Sequence, residues 1–268
     1  MLAQPMEHPH SHDKHAPPIH AELLRATYDG TLALENLTFT VEAGQRVAIV
    51  GPNGAGKTTL FKVIAGILRP TGGKLEIFGH GPGSHICVGY LPQRAQVNLD
   101  FPVTVAEVAM MGRVREIGLF RWPGKSDWEK VDSALERVGL AHIRGKHIGA
   151  LSAGQQQRVY LAQAVAQQAD IVLLDEPLTG LDLPAQEAIF EILDELSRMS
   201  ITVLIATHDL NLAAERFDQV MLLNRRLISI GDPETAITSD ALLEAYGGHL
   251  HVVSDGTVVI DTHHEGRE

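Results

Sequence analysis

A single cysteine, Cys87, stands among the 268 residues, so no internal disulfide can form and a reducing, cytosolic address is expected. No apolar run reaches the roughly 18 residues that suggest a bilayer span. The sequence also has no secretory h-region, so any service to a membrane is expected to run through a partner. Basic residues are scarce. Twenty-two Lys and Arg against 33 Asp and Glu leave a formal net charge of -11, which repels a phosphate backbone and argues against general nucleic-acid binding; a local basic patch stays possible. What remains is ordinary globular usage, 44% hydrophobic and 21% charged, which excludes wholesale disorder, collagen and coiled coil. The length fits one generous compact unit with a sizeable core.

Residues 1–20 carry four prolines and five histidines with no apolar period, and are predicted to be a disordered extension. Folded structure is expected from about Ala21. Leu32, Leu34, Leu37, Phe39 and Val41 alternate with polar positions and lead into Val47–Val50, which predicts antiparallel strands followed by one buried strand. A helix is predicted over 58–68, stopped by Arg69-Pro70-Thr71-Gly72-Gly73, with short strands over 74–91. From about 103 to 168 the pattern turns helical: Ser126-Asp-Trp-Glu129 reads as a capping box, and Trp128, Val131, Leu135 and Val138 share one helical face. Strand character returns at Ile171–Leu174 and Ile201–Ala206, with a helix over 184–198 between them. The order strand, helix, strand implies an α/β fold with a mostly parallel sheet that binds ligands beyond the carboxyl ends of its strands. The chemistry should therefore sit at those ends.

Gly51-Pro-Asn53-Gly54-Ala-Gly56-Lys57-Thr58 fits the phosphate-loop pattern and sits where that pattern requires, between a buried strand and a helix. Its glycines let backbone N–H groups curl around phosphate oxygens, and the following helix N-terminus, which includes Thr59, adds a favourable dipole. Lys57 is expected to reach the outer phosphates and Thr58 to ligate Mg²⁺. Asp175 and Glu176 end the next strong strand. Asp175 is assigned to the metal and Glu176 to the attacking water. His208 closes the following strand on the same edge, where it can touch the terminal phosphate or hold the water. Ser152 reads as a helix N-cap, with Ala153, Gly154 and Gln155 in the first turn: a second anion-binding end with no lysine of its own. Either the helical segment folds back over the loop, or each end completes a site on a second copy of the chain. Two-fold head-to-tail pairing is preferred.

These residues resemble an ATP-binding cassette ATPase, the nucleotide-binding subunit of an ABC transporter. The resemblance spans about 21–248 and rests on 51–58, Tyr90-Leu-Pro-Gln93, Leu151-Ser-Ala-Gly-Gln155, Asp175-Glu176, Gly180-Leu-Asp182 and His208, in the family's order. It implies a P-loop NTPase core with an antiparallel β subdomain and an inserted α-helical subdomain, ATP and Mg²⁺ as cofactors, and a homodimer on the cytoplasmic face of the membrane. It further implies that Tyr28 stacks on adenine and that Gln93 senses Mg²⁺ and the attacking water and couples to an integral membrane permease. By the same resemblance Asp182 links the two sites across the dimer, while Ser152 and Gly154 contact the terminal phosphate held by the opposite subunit. Ala153 stands where the family usually has a second glycine; tuned rather than abolished hydrolysis is expected.

Phe101–Val108, Met111-Gly-Arg113 and Leu151–Arg158 are similar to importers of zinc, manganese or iron, which implies an extracytoplasmic metal-binding protein as a further partner. His8, His10, His12 and His15, with His249, His251, His263 and His264, are spaced to bind zinc or nickel weakly, which tilts the expected ion towards zinc. Other readings stay open: a soluble cassette ATPase acting on DNA or ribosomes, an importer of an iron chelate, a non-enzymatic nucleotide-binding adaptor in which Glu176 is idle, or a small-molecule kinase. No regulatory domain is assigned to the last forty residues, and 249–268 is read as a tail.

Overall fold

The computed structural model describes residues 16–81, 87–93, 102–118 and 120–247, together with two short backbone strands near the carboxyl end. The elements begin with β1 (Ile19–Tyr28), β2 (Thr31–Val41), β3 (Arg46–Val50), α1 (Lys57–Ile64), β4 (Gly72–Ile77) and β5 (Val88–Leu91). A helical stretch follows: α2 (Val105–Met111), α3 (Val114–Ile117), α4 (Lys125–Arg137) and α5 (Ala153–Ala166). The chain then alternates through β6 (Ile171–Asp175), α6 (Leu183–Arg198), β7 (Thr202–Thr207), α7 (Leu210–Arg216), β8 (Gln219–Asn224) and β9 (Arg226–Gly231). It ends with α8 (Pro233–Ala236), α9 (Ser239–Tyr246), β10 (Leu250–Val252) and β11 (Val258–Ile260).

The apolar runs build the central sheet. Among the described residues its order is β5-β6-β7-β3-β8-β9, parallel throughout except for the antiparallel pair β8 and β9. Strand geometry sends successive side chains to opposite faces, so each run feeds two cores. Ala48, Val50, Val172, Leu174, Val203 and Ile205 pack with the helices α2, α4, α5 and α6. Val47, Ile49, Ile171, Leu173, Leu204 and Ala206 pack instead with α1 and with the antiparallel sheet β2-β1-β4. This is the expected architecture of core, antiparallel subdomain and helical insert.

Three boundaries differ from the expectation. The first strand starts at Ile19, which is fully buried and pairs with Val41, so order begins before Ala21. Helix α1 stops at Ile64 and not near 68, because Gly66 takes a left-handed φ of 71° and the N–H groups of Ile67 and Leu68 both turn back to the Lys62 carbonyl, at 2.9 and 3.0 Å. That closing turn satisfies carbonyls left open at a helix end. Helix α4 starts at Lys125 after Gly124, and Asp127 reaches back to the N-cap, its Oδ2 accepting from the Gly124 N–H at 3.0 Å, so Ser126 lies inside the first turn. The shared face survives this shift: Val131, Leu135 and Val138 are buried and Trp128 packs against them. The hairpin β8–β9 was not anticipated. The tail histidines His8, His10, His12, His15, His249, His263 and His264, and also Phe101, lie outside the described residues, as does the side chain of His251.

Candidate active site

The loop after β3 is shaped by backbone geometry. Gly54 and Gly56 take φ of 78° and 99°, a region that suits glycine. A Cβ on Gly56 would come within 2.6 Å of the Ala33 carbonyl oxygen, so β2 holds the loop closely from one side. From the other side the hairpin β8–β9 braces it: the Arg225 N–H donates to the Ala55 carbonyl at 2.8 Å, and the Arg225 carbonyl accepts from the Glu35 N–H at 2.7 Å. Arg225 reaches this pose with a left-handed φ of 57°. Next to it Arg226 grips Glu35 through two nitrogens at 2.9 and 2.8 Å.

Inside the loop, the Lys57 ammonium donates to the carbonyls of Gly51, at 2.6 Å, and Pro52, at 3.1 Å. Burial pushes its pKa down, against the pull of Glu176 and Asp175. One residue on, the Thr58 hydroxyl donates to Asp175 Oδ2 at 2.7 Å, so two of the three residues assigned to Mg²⁺, the third being Gln93, meet across α1 and β6. Asp175 is buried at 5% exposure, and burial raises its pKa above the ordinary 3.8, outweighing the Thr58 hydrogen bond, which lowers it. A buried ammonium and a buried carboxylate thus wait at the strand ends, each poorly solvated.

Glu176 follows at once with a left-handed φ of 49°, its N–H donating to the Ala206 carbonyl of β7 at 3.0 Å. A non-glycine residue in that region is uncommon and costs energy that the surrounding structure must hold. The turn aims its carboxylate at three partners. The Gln93 amide donates to Oε2 at 3.1 Å, the Thr179 hydroxyl to the same oxygen at 3.3 Å, and His208 Nδ1 lies 3.9 Å from Oε1. Gln93, Glu176 and His208 are therefore brought together, from three different strand ends.

The remaining candidates take other places. Tyr28, at the end of β1, is partly exposed, and the Lys62 ammonium sits 4.5 Å above its ring and 3.3 Å from its hydroxyl. Asp182 caps α6, accepting from the Ala185 N–H at 3.0 Å. Ser152 caps α5: its hydroxyl accepts from the Gln155 N–H at 3.3 Å, and the Gln155 side chain accepts from the Ser152 N–H at 3.1 Å. Gly154 brings this helix end against α6, since a Cβ there would stand 2.7 Å from the Ala185 Cβ. Ala153 is the first helical residue and carries no positive φ, so its Cβ is accommodated. Ser152 is exposed, and its own partners leave its outer side open to solvent.

A family model described as ABC transporter matches residues 34–179. The chain belongs to the ABC transporter family. The manganese transport system ATP-binding protein MntB of Bacillus subtilis (strain 168) is 39% identical over 249 residues, covering 92% of this chain and 99% of that protein. The zinc transport system ATP-binding protein TroB of Treponema pallidum is 40% identical over 229 residues, covering 85% and 86%. The structure of cbiO1 from Clostridium perfringens, part of the ABC transporter complex cbiONQ, aligns at a TM-score of 0.72 and 29% identity, over 85% of this chain and 94% of that one. A second model, of an AAA domain, matches residues 147–214, the stretch carrying Ser152, Glu176 and His208. As an ABC ATPase the protein binds ATP and couples its hydrolysis to transport, and no described helix is long and apolar enough to cross a membrane.

Sequence reasoning missed two contributors to this ABC ATPase site. Thr179 lies between motifs and is visible only once Glu176 has turned towards it. Arg225 depends on the hairpin β8–β9, which the sequence reading did not place, so its role as a brace is not visible in the sequence.

The desolvated Asp175 gives a prediction whose sign can be worked out. A carboxyl whose folded pKa is raised loses stability as pH climbs through that pKa. Asp175→Asn should therefore melt above wild type near neutral pH without nucleotide, and the advantage should shrink as pH falls towards 3.8, the ordinary value of the group. Thermal melts across pH check this. A variant less stable at neutral pH would mean that the Thr58 hydrogen bond outweighs burial.

Proposed function

We propose that two copies of this chain close head to tail around two molecules of Mg·ATP on the cytoplasmic face of a membrane and thereby drive a separate permease that imports a divalent metal ion. An extracytoplasmic metal-binding protein delivers the ion. The observation that carries the reading is the convergence on Glu176 of Gln93, Thr179 and His208 beside the Thr58–Asp175 pair, in a family of transport ATPases.

In this reading Lys57 leaves its loop carbonyls for the outer phosphates, together with the backbone of Gly51, Asn53, Gly54, Gly56 and Thr59, and Tyr28 stacks on the base. Thr58, Asp175 and Gln93 offer a hydroxyl, a carboxylate and an amide, the hard oxygen donors Mg²⁺ takes. Among the described residues no group of three His, Cys, Asp or Glu gathers as a self-sufficient metal cage. That fits an ion that keeps waters and substrate phosphates as its other ligands. When bound, Mg²⁺ neutralises charge on the phosphates. Glu176 takes the proton of the attacking water, and His208 and Gln93 hold that water in line. Ser152, Gly154 and Gln155 of one copy stabilise the terminal phosphate held by the other, and Asp182 links the two sites. ATP favours the closed dimer because it meets donors from both chains, which supplies the bistable element transport needs.

The names of the relatives support a metal cargo, manganese for one and zinc for another. Uptake of radiolabelled manganese, zinc and iron by cells lacking the chain tests it. Uptake of one of these ions should fall and be restored by wild type but not by Glu176→Gln; unchanged uptake of all three would overturn the cargo.

A further inference from the structure

Tyr90, near the end of β5, carries a polar atom that no step above uses. Among the described residues its hydroxyl is buried with no hydrogen-bond partner. Packing accounts for the ring, which meets the fully buried Phe61 of α1 edge-on, centroids 6.3 Å apart and planes at 68°. It does not account for the oxygen. Phenylalanine would make the same ring contact, whereas a buried hydroxyl left unpaired is costly and calls for an explanation.

Strand register says what the hydroxyl is near. β5 and β6 run parallel, with Tyr90 beside Leu173 and Leu91 beside Leu174. Side chains two apart on a strand share a face, so Leu173 and Asp175 point the same way. Tyr90 and Leu173 both pack on the α1 side of the sheet, the side from which Thr58 donates to Asp175. Burial first, and the Asp175 carboxylate second, hold the phenol pKa well above its ordinary 10.0, so the hydroxyl keeps its proton and is a donor. The two side chains therefore act on each other already, although no hydrogen bond joins them. The carboxylate has room for one: Oδ2 takes the Thr58 proton at 2.7 Å, and among the described residues no donor is bonded to Oδ1.

We propose that Tyr90 is a positioning residue for Asp175, its hydroxyl closing a hydrogen bond to Oδ1 when Mg·ATP is bound and fixing that oxygen as Thr58 fixes the other. The proposal rests on the reading of Thr58 and Asp175 as ligands of Mg²⁺. The end of β5 then serves both neighbouring carboxylates, Tyr90 for Asp175 and Gln93 for Glu176. A ligand carboxylate held from both sides has less freedom to lose, and removing such a support typically costs about 10- to 100-fold in metal affinity.

The test is calorimetric binding of a non-hydrolysable ATP analogue to the full chain, once in Mg²⁺ and once in EDTA. Wild type should bind more tightly in Mg²⁺. Tyr90→Phe should bind about tenfold or more weakly than wild type in Mg²⁺ and match it in EDTA. The Mg²⁺ concentration that half-saturates ATP turnover should rise by a similar factor. Without nucleotide, Tyr90→Phe should melt at or above the wild-type temperature, since it removes an unpaired buried hydroxyl and keeps the ring on Phe61. The same gain from Mg²⁺ in both proteins overturns the proposal. So does an equal loss of affinity in Mg²⁺ and in EDTA, which would make Tyr90 a packing residue or a direct contact of the nucleotide. A lower melting temperature for the empty variant also overturns it, by showing that the hydroxyl already has its partner. Wild type that gains nothing from Mg²⁺ would sink the metal assignment of Thr58 and Asp175 and this proposal with it, a result distinct from a variant that gains as much as wild type.

Discussion

Purified Glu176→Gln protein is expected to bind ATP as wild type does and to hydrolyse it about 10²- to 10⁴-fold more slowly, the range lost with a positioned general base. Glutamine keeps the length of the side chain and an oxygen that can accept from Gln93 and Thr179, so the pocket retains its shape. What disappears is the capacity to take a proton from water. If two chains grip the nucleotide as proposed, chemistry stops while both still hold it, and the ATP-bound dimer should accumulate and be visible by size-exclusion chromatography. Undiminished turnover would move the base elsewhere, with His208, 3.9 Å from the Glu176 carboxylate, the next candidate. Wild type with no turnover of its own would instead revive the adaptor reading.

Ser152→Glu is expected to be nearly as damaging through a different route. Its own phosphate loop is untouched, so ATP affinity of the isolated chain should match wild type, but turnover should fall at least about hundredfold. The new carboxylate would meet the terminal phosphate held by the partner, where the capped end of α5 should present donors. Loss of the hydroxyl cap alone costs about 1 kcal/mol of stability, so the variant should fold, and Ser152→Ala isolates that smaller effect. Full turnover in Ser152→Glu would show that the end of α5 takes no part in the reaction.

Much of this site was legible because its parts obey local rules. The strand, glycine loop and helix of 47–64 follow from an apolar run, backbone freedom and a helix start, with no need of distant residues. Ser152 and Gln155 cap each other within four positions, and the paired cores follow from alternation within β3, β6 and β7. Long-range contacts were harder to read. Nothing local announces that Arg225 adopts a left-handed pose to brace Ala55, or that Gly66 ends α1 a turn early, since both depend on how the hairpin and the turn pack. The cap of α4 went wrong for a related reason: Gly124 and not Ser126 is the N-cap, and Asp127 takes the third-position role read for Glu129, its carboxylate held as well by buried Arg113. Tyr28 came from the resemblance, and only the fold reveals the Lys62 ammonium above its ring.

The decisive measurement is to mix two inactive chains, Lys57→Ala and Ser152→Glu. In random pairing half the dimers are mixed, and each mixed dimer holds one site with an intact phosphate loop from one chain and an intact Ser152 from the other. Mutual completion predicts that ATPase activity returns to about a quarter of the wild-type level when the two proteins are combined, though neither hydrolyses ATP alone. A mixture as inactive as its components would mean that each chain owns its whole active centre.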